Sequence, residues 1–153
     1  MAEAGNVAVS ATSHYLAACA IARDESAYLP EWVAYHVVVG FSHFTIYDNG
    51  STIPVRKVLR GEVDRGLVRV IDFPGRAWPS LQLDAYNNYL SWARNLSKWT
   101  AFIDIDEFIV PKSSDSVATA DFRALGRLPV RRLSDFVHTM LGLACICCML
   151  VLA

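Results

Sequence analysis

Hydrophobic positions along this chain fall into short blocks that alternate between strand and helix periods. Tyr15 to Ala22 is an apolar run closed by Arg23-Asp24-Glu25, which predicts a buried strand. Tyr28 to Val39 places Leu29, Trp32, Val33, His36 and Val37 at helical spacing, with Pro30 in the first turn and Gly40 as a stop. His43 to Tyr47 predicts a second strand, followed by the turn-rich loop Asp48-Asn49-Gly50-Ser51-Thr52. Pro54 to Arg60 predicts a short helix closed by Gly61, and Val68 to Phe73 a third strand. Leu81 to Leu96 reads as a longer helix, and Thr100 to Ile105 as a fourth strand. This alternation predicts an α/β fold, a Rossmann-like, mostly parallel sheet with helices on both faces.

The fourth strand carries the most informative chemistry. Its apolar run from Trp99 ends on Asp104 and Asp106, with Glu107 beside them. On a strand, residues two apart face the same side, so both aspartates aim into one space. Like charges at the end of a buried strand are costly unless a cation lies between them. Carboxylate oxygens suit magnesium or manganese, and a metal held this way commonly holds a phosphate.

Ligands of open α/β sheets bind beyond the carboxyl ends of the strands. Three polar clusters fall there: Arg23-Asp24-Glu25, Asp48 to Thr52, and Asp104 to Glu107. A lone cluster of this kind is ordinary loop chemistry. Three together, one with metal-ligand spacing, point to a site.

Composition narrows the class. The chain has 153 residues, enough for one domain with a sizeable core. It is 54% hydrophobic and 19% charged, which excludes a disordered tail. Fourteen basic residues against fifteen acidic ones give a net charge of −1, so nothing electrostatic favours nucleic acid. Cys145, Cys147 and Cys148 lack zinc-knuckle spacing, and with Cys19 they read as free thiols. Residues 1–14 read as a flexible segment without a secretory signal, and 15–135 as the domain. Residues 136–153 read as an apolar helix, a candidate membrane anchor of marginal length.

Three segments together resemble glycosyltransferase family 92: Ala22 to His36, Phe44 to Thr52, and Trp99 to Phe108. They are similar also to the wider family-2-like nucleotide-sugar transferases. The resemblance covers Tyr15 to Pro111 and implies a glycosyltransferase-A fold. It further implies a UDP-sugar donor (UDP-galactose in the best-known members), a glycan acceptor, manganese, and a Golgi location with a membrane anchor. By this resemblance Asp48 would bond the base or ribose, and Arg23, Asp24 and Glu25 would lie against the nucleotide. Asp104 and Asp106 match the acidic pair called DxD. Asp106 would ligate the metal, and Asp104 would contact the ribose, or the metal through water.

Other polar and aromatic residues receive plainer readings. Trp32, Trp92 and Trp99 read as core, His36 and His43 as packed or capping histidines, and Trp78 as a loop residue able to stack on a ligand. Gln82, Asp84 and Asn88 face either the cleft or water. The sequons at Asn49 and Asn95 read as accidental. The family pattern continues beyond the acidic strand with an acceptor site and catalytic base that have no match here, so the chain reads as truncated. Two alternatives follow: a non-catalytic remnant that binds a nucleotide sugar, and a haloacid-dehalogenase-type phosphotransferase with Asp104 as nucleophile and Asp106 as acid. Against the latter, Phe108 stands where a small or β-branched residue is usual, and the acidic strand comes fourth.

Overall fold

The computed structural model describes residues 14–75, 80–93, 96–110 and 149–152. Strand β1 (His14–Ala22) leads to helix α1 (Leu29–Val38) and strand β2 (His43–Asp48). Two short helices, α2 (Val55–Val58) and α3 (Arg60–Asp64), precede strand β3 (Val68–Asp72). Helix α4 (Ser80–Trp92) then leads to β4 (Ser97–Phe102), and β5 (Met149–Leu152) completes the described elements.

The five described strands form one sheet in the order β3-β2-β1-β4-β5. β1 lies parallel to both β2 and β4, and β2 is parallel to β3. β5 runs antiparallel to β4. Strand β1 reads as a continuous apolar run because both of its faces are covered, as parallel sheets require. Leu16, Ala18, Ala20 and Ala22 pack with Trp32, Val33, Phe44, Val55 and Leu59 on the α1–α2 side. Cys19 and Ile21 pack with Tyr47, Ala85, Tyr86, Tyr89 and Phe102 on the α4 side. Helices therefore cover both faces.

Several expectations need correction. Pro54 to Arg60 is not one helix closed by Gly61. The helical path breaks at Leu59 (φ −105°, ψ 32°), and Gly61 lies inside α3. The chain leaves α3 at Gly66 instead, where φ is +73° and glycine carries no steric cost. Helix α4 ends at Trp92, short of Leu96, and Leu96 already bonds back to Ala93 in a turn. The acidic strand ends at Phe102, so Asp104 and Asp106 are not on strand pleats. Met149–Leu152, read as part of an apolar helix, forms a strand.

The remaining terminal readings, for residues 1–13 and 111–148, lie outside the described residues, as do Trp78 and the Asn95 sequon. Among the described residues, no helix is long and apolar enough to cross a membrane.

Candidate functional site: the acidic turn and the loops beside it

The chain winds outward from β1 through β2 to β3, then returns to the other side of β1 with β4. This reversal makes the carboxyl ends of β1 and β4 a topological switch point, where open α/β sheets bind ligands. Arg23-Asp24-Glu25 follows β1 there, and Asp104 to Glu107 follows β4. The register carries β1 past the end of β4: Cys19 pairs with Phe102, and the Ile103 amide donates to the Cys19 carbonyl.

Asp104 to Glu107 is a tight turn, closed by the Glu107 amide donating to the Asp104 carbonyl at 3.2 Å. The Glu107 carboxylate reaches back to accept the Asp104 amide at 3.2 Å. Ile105 is buried in the core and anchors the turn. On either side of it Asp104 is half-buried and Asp106 is exposed. The side-chain amide of Gln82 on α4 donates to Asp104 Oδ1 at 2.9 Å and to the Tyr86 hydroxyl at 3.1 Å. Burial first, then the charges of Glu107 and Asp106, raise the Asp104 pKa, with Gln82 opposing them. The turn thus concentrates negative charge at a place that disfavours it.

That charge bears on the metal implied by the resemblance. Among the described residues, no three acidic, histidine or cysteine side chains form a metal-binding group. The turn does not build a closed cage. Magnesium-type sites commonly use one or two carboxylates and complete the shell with water and substrate phosphates. An exposed Asp106 beside a charge-stressed Asp104 fits that open arrangement.

The loops after β1 and β2 are built into one unit. Asp24 has a left-handed backbone (φ 59°), and its Oδ1 accepts the Thr52 amide at 2.7 Å. Its own amide donates to Ser51 Oγ at 3.1 Å. The two Thr52 hydrogen bonds, and then the Arg23 charge, lower the Asp24 pKa. Buried Asp48 accepts the Ser51 amide on Oδ1 and the Val55 amide on Oδ2, both at 2.9 Å. A buried carboxylate is tolerated because charge-assisted bonds to backbone N–H groups satisfy it. Asn49 extends the unit to the loop after β3 by accepting the Gly75 amide at 3.1 Å. Arg23 stays exposed and Glu25 half-exposed, and the Glu25 carbonyl accepts the amides of Tyr28 and Leu29 at the start of α1.

Of the expected site residues, Asp24 and Asp48 are joined through the loop between β2 and α2. Asp104 is joined instead to α4 through Gln82. Asn88 turns to the sheet, where its Oδ1 accepts the Tyr47 hydroxyl at 2.9 Å, and Asp84 is exposed. The sequence reading missed the polar work of α1. The Trp32 indole donates to the carbonyls of both Asp104 and Glu107, at 3.0 Å each. A buried tryptophan N–H usually finds a polar partner. Trp32, Tyr35 and His36, on one helix face, were the signal.

A family model for glycosyltransferase family 92 matches residues 14–126. The chain belongs to glycosyltransferase family 92. It is 31% identical over 97 residues to a Ricinus communis glycosyltransferase family 92 protein, covering 62% of this chain and 17% of that protein. To the Arabidopsis thaliana galactan beta-1,4-galactosyltransferase GALS2 it is 33% identical over 96 residues, covering 58% of this chain and 18% of the relative. The chain therefore spans less than a fifth of the length of these curated relatives. Among solved structures, S. aureus TarS residues 1–349 shares the fold, with a TM-score of 0.51 and 14% identity, over 62% of this chain and 28% of that one. Family 92 membership removes the phosphotransferase reading.

Proposed function

We propose that these residues form the donor-binding part of a glycosyltransferase that moves a hexose from a UDP-sugar to a glycan acceptor. Galactose is the favoured hexose, because two family relatives carry the name galactan beta-1,4-galactosyltransferase. The observation that carries the reading is the acidic turn at the switch point, where burial and two neighbouring carboxylates stress Asp104.

Each residue then has a task. Exposed Asp106 ligates a divalent cation, manganese or magnesium, and Asp104 contacts the ribose, or the cation through water. A cation here neutralises the carboxylates and supplies Lewis-acid stabilisation to the departing diphosphate. Asp48 and Asp24 fix the loop that receives the base and ribose, and Arg23 and Glu25 border the nucleotide. Gln82 holds one oxygen of Asp104, which leaves the other free to turn toward the donor. These residues account for donor binding and do not include a general base for the acceptor hydroxyl. Residence in the Golgi and attachment to its membrane belong to the same proposal and rest on the family resemblance.

Calorimetric titration of the chain with UDP, in manganese and then in EDTA, tests the reading. Binding that requires manganese is expected. Equal affinity in EDTA would remove the metal from the site, and no binding in either buffer would overturn the donor reading.

A further inference from the structure

Helix α1 lies beneath the acidic turn, and it is joined to the turn by polar atoms as well as by packing. Trp32 is fully buried, and its single N–H is shared between the two carbonyls that bracket the turn. One helical turn further on, the Tyr35 hydroxyl donates to the Ile109 carbonyl at 3.2 Å. His36 is also fully buried, with Nδ1 2.8 Å from the Trp32 carbonyl. A carbonyl can only accept, so Nδ1 carries the proton and Nε2 is left as an acceptor. The Ile109 amide donates to that nitrogen at 3.4 Å. Phe108 closes the contact by stacking on His36 (12° between planes) and meeting Tyr35 edge-on.

Three side chains of one helix thus satisfy four backbone groups in a segment that has left the sheet. Strand β4 stops at Phe102, so no ladder holds residues 104–109 in place. Without those side chains the part-buried Glu107 and Ile109 carbonyls would lose these bonds and the Asp104 carbonyl would keep only the Glu107 amide, a cost a native fold avoids.

We propose that Trp32, Tyr35 and His36 are positioning residues for the donor site. They clamp the turn so that Asp104 and Asp106 are presented ready to hold the cation with the nucleotide diphosphate. Trp32 and His36 are fully buried and Tyr35 half-buried, so they act through the turn. The proposal rests on the donor-site reading for its consequence, whereas the clamp itself is independent of that reading. Partners that orient metal ligands typically matter by 10- to 100-fold in affinity.

The test uses the full chain and its Trp32→Phe variant, which keeps an aromatic ring and removes the N–H. Hydrogen exchange of the 104–110 segment, without ligand, reads the clamp. Manganese affinity in the presence of UDP, read from the free-ion magnetic resonance signal, reads positioning. The expected result is at least about tenfold faster exchange in 104–110, unchanged exchange in β1 and β2, and manganese affinity weaker by on the order of 10- to 100-fold. Unchanged exchange in 104–110 would overturn the clamp. Faster exchange with unchanged manganese affinity would overturn the positioning role. If the parent binds no manganese with UDP, the donor reading falls and the positioning role with it, while the exchange result still decides the clamp. Should Trp32→Phe fail to fold, Tyr35→Phe removes a single hydroxyl at a half-buried position and is expected to shift both readouts in the same direction by less. No shift in either readout for that variant would overturn the proposal.

Discussion

The Asp24 carboxylate accepts the Thr52 amide at 2.7 Å, across 28 residues of sequence, and so fastens the loop after β1 to the loop after β2. The bond exists because Asp24 takes a left-handed backbone, φ 59°, that most side chains resist and Asp or Asn tolerates. Asp24→Ala is expected to lose both the acceptor and the tolerated conformation. Amide exchange at Thr52 should accelerate, and the melting temperature should fall more than in Asp24→Asn. Equal effects of the two substitutions would mean that neither the side-chain acceptor nor the backbone conformation contributes.

The same bond sets an acid limit. The Thr52 hydrogen bonds, helped by Arg23, hold the Asp24 pKa below its ordinary 3.8. A carboxylate lowered in the folded state stabilises fully above the unfolded value and loses that contribution as pH falls through the folded one. Asp24→Asn should therefore flatten stability against pH only below about 4, as measured by urea unfolding across that range.

His43 acts at milder acidity. Both its ring nitrogens are buried, and neither has a hydrogen-bond partner of good geometry. Burial first, then the positive charges of His14 and Arg69, push its pKa down from 6.5 to about 4, against a small opposing effect of the Gly66 backbone. The unfolded chain protonates this histidine first, so its contribution is full above pH 6.5 and lost as pH falls toward 4. The loss attributable to it is about 2 kcal/mol by pH 5. His43→Phe should remove that part of the pH dependence. An unchanged slope between pH 7 and 5 would mean that His43 is paired in solution.

Asp104 offers two substitutions with opposite effects. Its pKa is raised by burial, Glu107 and Asp106, and restrained by Gln82. Ionising such a group costs stability as pH rises through its folded value. Asp106→Asn should lower the Asp104 pKa and leave the ligand-free fold as stable as the parent, or slightly more so. It should also abolish manganese-dependent UDP binding. Gln82→Leu removes the 2.9 Å donor and should raise the Asp104 pKa further. Carbon-13 titration of the aspartate carboxyls reads both shifts, and shifts of the same sign would contradict this electrostatic picture.

Much of the framework was legible because β1 and β2 are short, largely apolar runs bounded by charge or turn residues, a pattern of buried parallel strands, while edge strand β3 alternates buried and exposed positions. The face of α1 was legible from Leu29, Trp32, Val33 and His36 at helical spacing. The break at Leu59 was hidden, because α2 and α3 share one helical pattern and only the backbone reveals the hinge. The end of β4 was misplaced because Ile103 and Ile105 continue the apolar alternation after the hydrogen-bonded ladder has stopped. Asp104 and Asp106 were found through their spacing, though they share a turn rather than a pleat. Gln82 and Trp32 were not assigned to the turn, since their partners there are 22 and 72 residues away. Nothing local in the sequence announces such long-range bonds.

The central claim is a donor site that needs metal and nucleotide together, and thermal unfolding of the full chain tests it most directly. Four samples suffice: no ligand, UDP alone, manganese alone, and both. With each ligand at a hundred times its dissociation constant, stabilisation of about 2.7 kcal/mol is expected only when both are present. A melting temperature that is the same in all four samples, or that rises fully with UDP alone, would contradict it.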